Sequence, residues 1–163
     1  MLTTAQQEAM ALHVQYEIEE FRNSFQDLPA LRGHRQWNRA LESLLLHFRV
    51  LRAFFFSEGT YPGSDVHARD YVAIWQPTKD PIFDRTKKAV DKVLAHLTLE
   101  RVTNPTMLDW PELDGMCAAM ETLISEFRKS LSPLQAVWFP RLQKFKSVPT
   151  IGTEGKRTDS GPR

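Results

Sequence analysis

Three short stretches carry side chains that a helical core does not need. His47-Phe48-Arg49 lies inside a long apolar run, with Arg52 just beyond it. Asp65-Val66-His67-Ala68-Arg69-Asp70-Tyr71 follows, and then His96-Leu97-Thr98-Leu99-Glu100-Arg101. A histidine beside an arginine can act as a general base with an anion-binding neighbour. Two carboxylates flanking a histidine can bind a divalent ion or exchange protons, because both ligand types suit hard or borderline metals.

Each stretch also has a plainer reading. His47 comes three residues after Leu44 and four before Leu51, so it lies on or beside the apolar stripe of its helix. There it is a partly buried histidine satisfied by a carboxylate, with Arg49 and Arg52 on the helix flank. Asp65 suits a helix cap, and Asp70 a partner of Arg49 or Arg52. Arg101 suits the C-terminal end of a helix, where the macrodipole favours a cation. His96 falls three residues after Val93 and so near a buried edge, from which it could join His47 across a helix interface. The chain order predicts one shared network: Asp65 or Asp70 meeting Arg49, Arg52 or His47, with His96 or Arg101 nearby.

Other chemistry is excluded by type. There is no Gly-rich phosphate loop, no Gly-x-Ser-x-Gly elbow and no His-Glu-x-x-His pair. The Glu-x-x-His spacing of di-iron bundles is missing too, since Glu42 stands five residues before His47. Cys117 is the sole cysteine, so neither an intrachain disulfide nor a Cys-based metal site can form. It falls on an apolar helix face and reads as core rather than as a nucleophile. The net charge of +1 gives nucleic acid or an anionic membrane no broad basic surface to grip.

The elements that must position these residues are helices. Met10, Val14, Ile18, Phe21 and Phe25 recur at intervals of three and four, predicting a first helix over about 4–26 with Thr3 or Thr4 as cap and Pro29 beyond its end. A second helix, over about 36–57, carries a wide stripe from Trp37 through Leu44 and Phe48 to Phe55, enough to touch more than one neighbour. Asp80-Pro81 starts a third, with Phe83, Val90, Val93, Leu94 and Leu97 as its buried side. A fourth starts near Asp109-Trp110-Pro111, repeats Leu113, Met116, Cys117, Met120, Ile124 and Phe127, and closes at Ser132-Pro133. The connection between the second and third helices is long and holds Tyr71 and Trp75, which predicts that it folds back onto the bundle. Trp138, Phe139 and Leu142 suggest a short extra packed segment.

Around the second helix the chain resembles a family of uncharacterised bacterial helical proteins. The resemblance rests on Leu41-Glu42-Ser43, His47-Phe48-Arg49 and Phe54-Phe55-Phe56, then Asp65, Val66, Ala68, Asp70 and Tyr71, then His96, Leu97, Thr98 and Arg101. It spans about residues 10–130 and implies a helical bundle. A weaker similarity is to HEPN-like bundles, many of them ribonucleases or nucleotide-binding partners. Their active members place four to six residues between an Arg and a His on one helix, whereas here seven residues separate Arg39 from His47.

The sequence therefore predicts an all-α, four-helix up-and-down bundle over residues 1–146, with a partly ordered second connection, and a disordered tail over 147–163. No apolar run approaches the roughly 18–20 residues that cross a bilayer, and Met1 to Glu8 lack the order of a signal peptide, so the expected setting is the cytoplasm without a membrane. The function expected first is a binding or interaction module without a cofactor, its partner another protein or a second copy. The alternatives are an RNA- or nucleotide-directed enzyme using His47, Arg49 and His96, and a small divalent-metal site at Asp65, His67 and Asp70.

Overall fold

The computed structural model describes residues 2–32, 34–58, 65–95 and 110–142. Among the described residues the elements are all helical, with four long helices and one short one, and no strand occurs. His96, Arg101 and the 147–163 tail lie outside them.

Helix α1 spans Thr4–Leu31. Thr3 caps it: its hydroxyl accepts from the Gln6 amide at 3.3 Å, while the Gln6 side chain accepts from the Thr3 amide at 2.9 Å. The helix runs five residues past its expected end at 26 and carries Pro29 within its last turn. At that position proline removes a single helical hydrogen bond, to the carbonyl of Phe25. Leu28, just before the proline and beyond the expected end, is completely buried.

A turn closed by His34 N–H to the Leu31 carbonyl and Trp37 N–H to the His34 carbonyl leads into α2, Trp37–Phe56. The two helices run antiparallel, because Ser24 bonds Ser43 and Glu17 bonds His47, so α1 numbers fall as α2 numbers rise. Leu44, Leu45, Phe48, Leu51 and Phe55 of α2 are buried against its neighbours, as its wide stripe requires. Ser57 ends α2 in the left-handed region at φ 55°, and the Glu58 amide returns to the Ala53 carbonyl.

The described part of the next connection is ordered by specific bonds. A single 3-10 turn, Ala68–Asp70, leads to Tyr71, whose hydroxyl donates to the Gln7 carbonyl at 2.9 Å. Trp75 Nε1 donates to the Phe55 carbonyl at 2.7 Å. Helix α3, Pro81–Ala95, starts where Asp80 Oδ1 accepts from the Ile82 amide at 2.8 Å, the cap-then-proline start read from sequence. Of its expected buried side, Phe83 and Val90 are buried, joined by Ile82; the side chains of Val93 and Leu94 are not described, and Leu97 lies outside the described residues.

Helix α4 spans Trp110–Ser130 and buries Leu113, Met116, Met120, Ile124 and Phe127. Ser132 and Gln135 then form a second capping box, opening the short helix α5, Pro133–Trp138. Phe139 and Leu142 after it are buried, so the extra segment closes one end of the core. Phe127 organises that end: the ring centroids of Phe54, Phe55, Tyr71, Trp75 and Phe139 all lie within 6.0 Å of its own, each edge-to-face.

Candidate functional site

His47 sits on α2 one turn from Leu44 and Leu51 and is 9% exposed. Its Nδ1 lies 2.7 Å from Oε2 of Glu17 on α1, and the Tyr16 ring stands edge-on 6.0 Å away. The partner of His47 is thus a carboxylate, but neither Asp65 nor Asp70.

Arg52, 6% exposed, is more heavily engaged. Its Nη1 pairs with Glu58, and its Nη2 donates to Asp84 Oδ1 at 2.9 Å, tying the end of α2 to the first turn of α3. Its guanidinium carbon also lies 5.7 Å from the centre of the Phe56 ring. The expected contact between Arg52 and Asp65 or Asp70 is therefore replaced. Glu58 and Asp84 reach the guanidinium, while the Asp70 carboxylate turns back to accept from the His67 amide at 2.8 Å. That bond closes the 3-10 turn and serves the capping role open to aspartate at a turn.

What the fold does bring together is a cleft of about 840 Å³ between α1, α2, the 65–67 segment and α3. Arg49, Arg52, Asp65 and His67 line it, with Glu17 and Lys87. Phe48, Leu51, Phe54, Val66 and Val90 supply its apolar wall, and Leu46 and Val50 remain 51% and 40% exposed beside them. His47 and Asp70 are not among the lining residues. The predicted single network is therefore divided: its arginines, Asp65 and His67 share one cleft, whereas His47 and Asp70 are committed to structural bonds.

Two nitrogens on this wall are buried without a hydrogen-bond partner, Nε of Arg52 and Nδ1 of His67. A buried polar group left unpaired costs about 1–3 kcal/mol, so folded proteins rarely keep such groups without a use. Among the described residues no three His, Cys, Asp or Glu side chains converge in a way that could hold an ion. Asp65, His67 and Asp70 do not form such a group, which removes the basis for the small metal site.

Sequence reasoning missed a second polar contact, on the other side of α1. Arg22, 7% exposed, grips Glu121 of α4 with two bonds, Nε to Oε1 at 2.6 Å and Nη2 to Oε2 at 2.7 Å. Arg22 falls one residue after Phe21, at the edge of the buried face, which is the only sequence signal for it. Asp114 and Cys117 precede Glu121 on α4. Burial pushes the Asp114 carboxyl above its ordinary value, and its Oδ1 is buried without a partner. Burial, followed by the charges of Asp114 and Glu121, pushes the Cys117 thiol up as well. That thiol is protonated and enclosed in the core, which accords with reading it as packing. The Tyr71 phenol is likewise pushed up, by burial first and by Asp70 second.

Comparison with protein-family models, with curated proteins and with solved structures found no match. The geometry of the cleft therefore carries the functional reading by itself.

Proposed function

We propose that this chain is a small helical binding module whose ligand occupies the cleft between α1, α2 and α3. The observation that supports it is the convergence of Arg49, Arg52, Asp65 and His67 on one cavity of about 840 Å³, a size that suits a small molecule. Polar residues drawn from separate stretches of sequence meet there beside exposed apolar side chains, and two of them hold an unpaired buried nitrogen. The setting taken for this module is the bacterial cytoplasm. A lone buried cysteine suits a reducing compartment, and no helix among the described residues is long and apolar enough to cross a membrane.

The test is a ligand-observed saturation-transfer screen of small-molecule mixtures against the native protein and Val50→Arg. Val50 lines the cleft and is exposed, so arginine there obstructs the cavity while sparing the core. Signals present with native protein and lost with the variant support the reading. A screen in which no compound depends on Val50 contradicts it.

A second reading, a HEPN-like enzyme acting on RNA or a nucleotide, draws support from one feature. Glu17 holds the Nδ1 side of His47, the way a carboxylate orients a general-base histidine, and Glu17 itself lines the cleft. This reading requires turnover of an RNA or nucleotide substrate that His47→Ala abolishes. If His47→Ala lowers only the melting temperature, with no such turnover in the native protein, the reading fails.

A further inference from the structure

The character of the cleft wall narrows its ligand, on the assumption that the cleft is the binding site. Its fixed charges cancel among the described residues: Arg49, Arg52 and Lys87 stand against Glu17, Glu58 and Asp65. A nucleotide or other multiply charged anion brings two or more negative charges and needs a surplus of cations to replace its hydration. Among the described residues this wall has no such surplus. Arg52 itself is already paired with two carboxylates, Glu58 and Asp84, so a further anion approaching it meets net repulsion.

What Arg52 still offers is a single N–H, the unpaired Nε, and that is a donor in every protonation state. Nδ1 of His67 is also buried without a hydrogen-bond partner, and it donates in the tautomer that carries the proton there. Both atoms are closed to water. One uncharged acceptor oxygen satisfies such a donor without adding charge. Apart from His13, the rest of the described wall is apolar, including Phe48, Leu51, Phe54 and Val66, with Leu46 and Val50 unsheltered beside them. Two exposed aliphatic side chains one helical turn apart, beside a cavity of about 840 Å³, are the surface that an apolar body covers.

We infer that the cleft takes an uncharged, largely apolar small molecule bearing a carbonyl-type acceptor, and that Arg52 and His67 serve that acceptor.

Nile red, a neutral apolar dye with one carbonyl oxygen, is a direct probe, with decanoate and AMP as the singly and multiply charged comparisons. The full chain is titrated with each, together with Leu46→Arg and Val50→Arg, two exposed cleft positions. Unchanged helical circular dichroism shows that both variants fold. The expected result is saturable one-to-one fluorescence enhancement of Nile red, weakened at least tenfold by either substitution, with AMP failing to displace the dye. If decanoate or AMP binds in a manner that depends on Leu46 and Val50 while Nile red does not, the ligand class is wrong although the cleft remains the binding site. If no probe binds, or if binding ignores both substitutions, the inference falls together with the reading of the cleft.

Discussion

Glu17 on α1 lies 2.7 Å from Nδ1 of His47 on α2, and this contact ties the two antiparallel helices together beside the cleft. His47 is nearly enclosed, so removal of the carboxylate takes the partner from a polar ring nitrogen. Glu17→Ala is expected to cost about 1–2 kcal/mol. In a chain of this size that lowers the melting temperature by about 2–4 °C for each kcal/mol. Urea denaturation of the native and variant chains checks it, and an unchanged midpoint contradicts the structural role.

Arg22 and Glu121 join α1 to α4 in a two-bond ion pair with little solvent access. Breaking one side of such a pair leaves the other charge stranded. Glu121→Ala is therefore expected to destabilise by about 3 kcal/mol, more than Glu17→Ala does. Replacing both residues by apolar ones, as in Arg22→Met with Glu121→Leu, is expected to recover most of that loss. A double variant as unstable as the single one contradicts the account.

Phe127 is fully buried and stands among five aromatic rings. Phe127→Ala is expected to cost about 3–5 kcal/mol through lost burial and the cavity left behind. The same substitution should raise hydrogen exchange at Tyr71 and Trp75, because the connection that carries them packs on this ring.

Asp114 gives a pH dependence with a defined sign. Its carboxyl is raised by burial, so the folded chain holds its proton more tightly than the unfolded chain does. The stabilising contribution is complete below the ordinary carboxylate range, near pH 4, and is lost as pH rises through the raised folded value. Asp114→Asn is expected to leave stability unchanged or higher at pH 7 and to flatten the fall in stability just above pH 4. A steeper fall in the variant contradicts this assignment.

Ser57 occupies the left-handed region at φ 55°, where a side chain costs about 1–2 kcal/mol. Ser57→Gly is expected to stabilise by about 0.5–1 kcal/mol, since glycine adopts this conformation freely but loses more entropy on folding. Thermal melts of the two chains decide it.

The helices were legible because their apolar residues keep a period near 3.6, and Asp80-Pro81 marked the start of α3 to the residue. The end of α1 was not, because Pro29 signals a stop by its own chemistry whereas Leu28 finds its burial only in the assembled core. The same limit governed the polar residues. That His47 needs a carboxylate follows from its place on the stripe. That the carboxylate is Glu17, thirty residues away, depends on the register of α1 against α2. Arg52 pairs with Glu58 and Asp84 and not with Asp65 or Asp70, because the cap after α2 and the first turn of α3 bring them to it. Asp70 was already spent on the turn that contains it.

The most direct test of the cleft as the binding site is a nitrogen-15 correlation spectrum of the native chain recorded with and without saturating Nile red. Perturbed amides are expected to cluster at residues 46–54 and 65–67 and on the facing turns of α1 and α3. Perturbations centred on Leu134 and Val137 of α5, or none at all, contradict it.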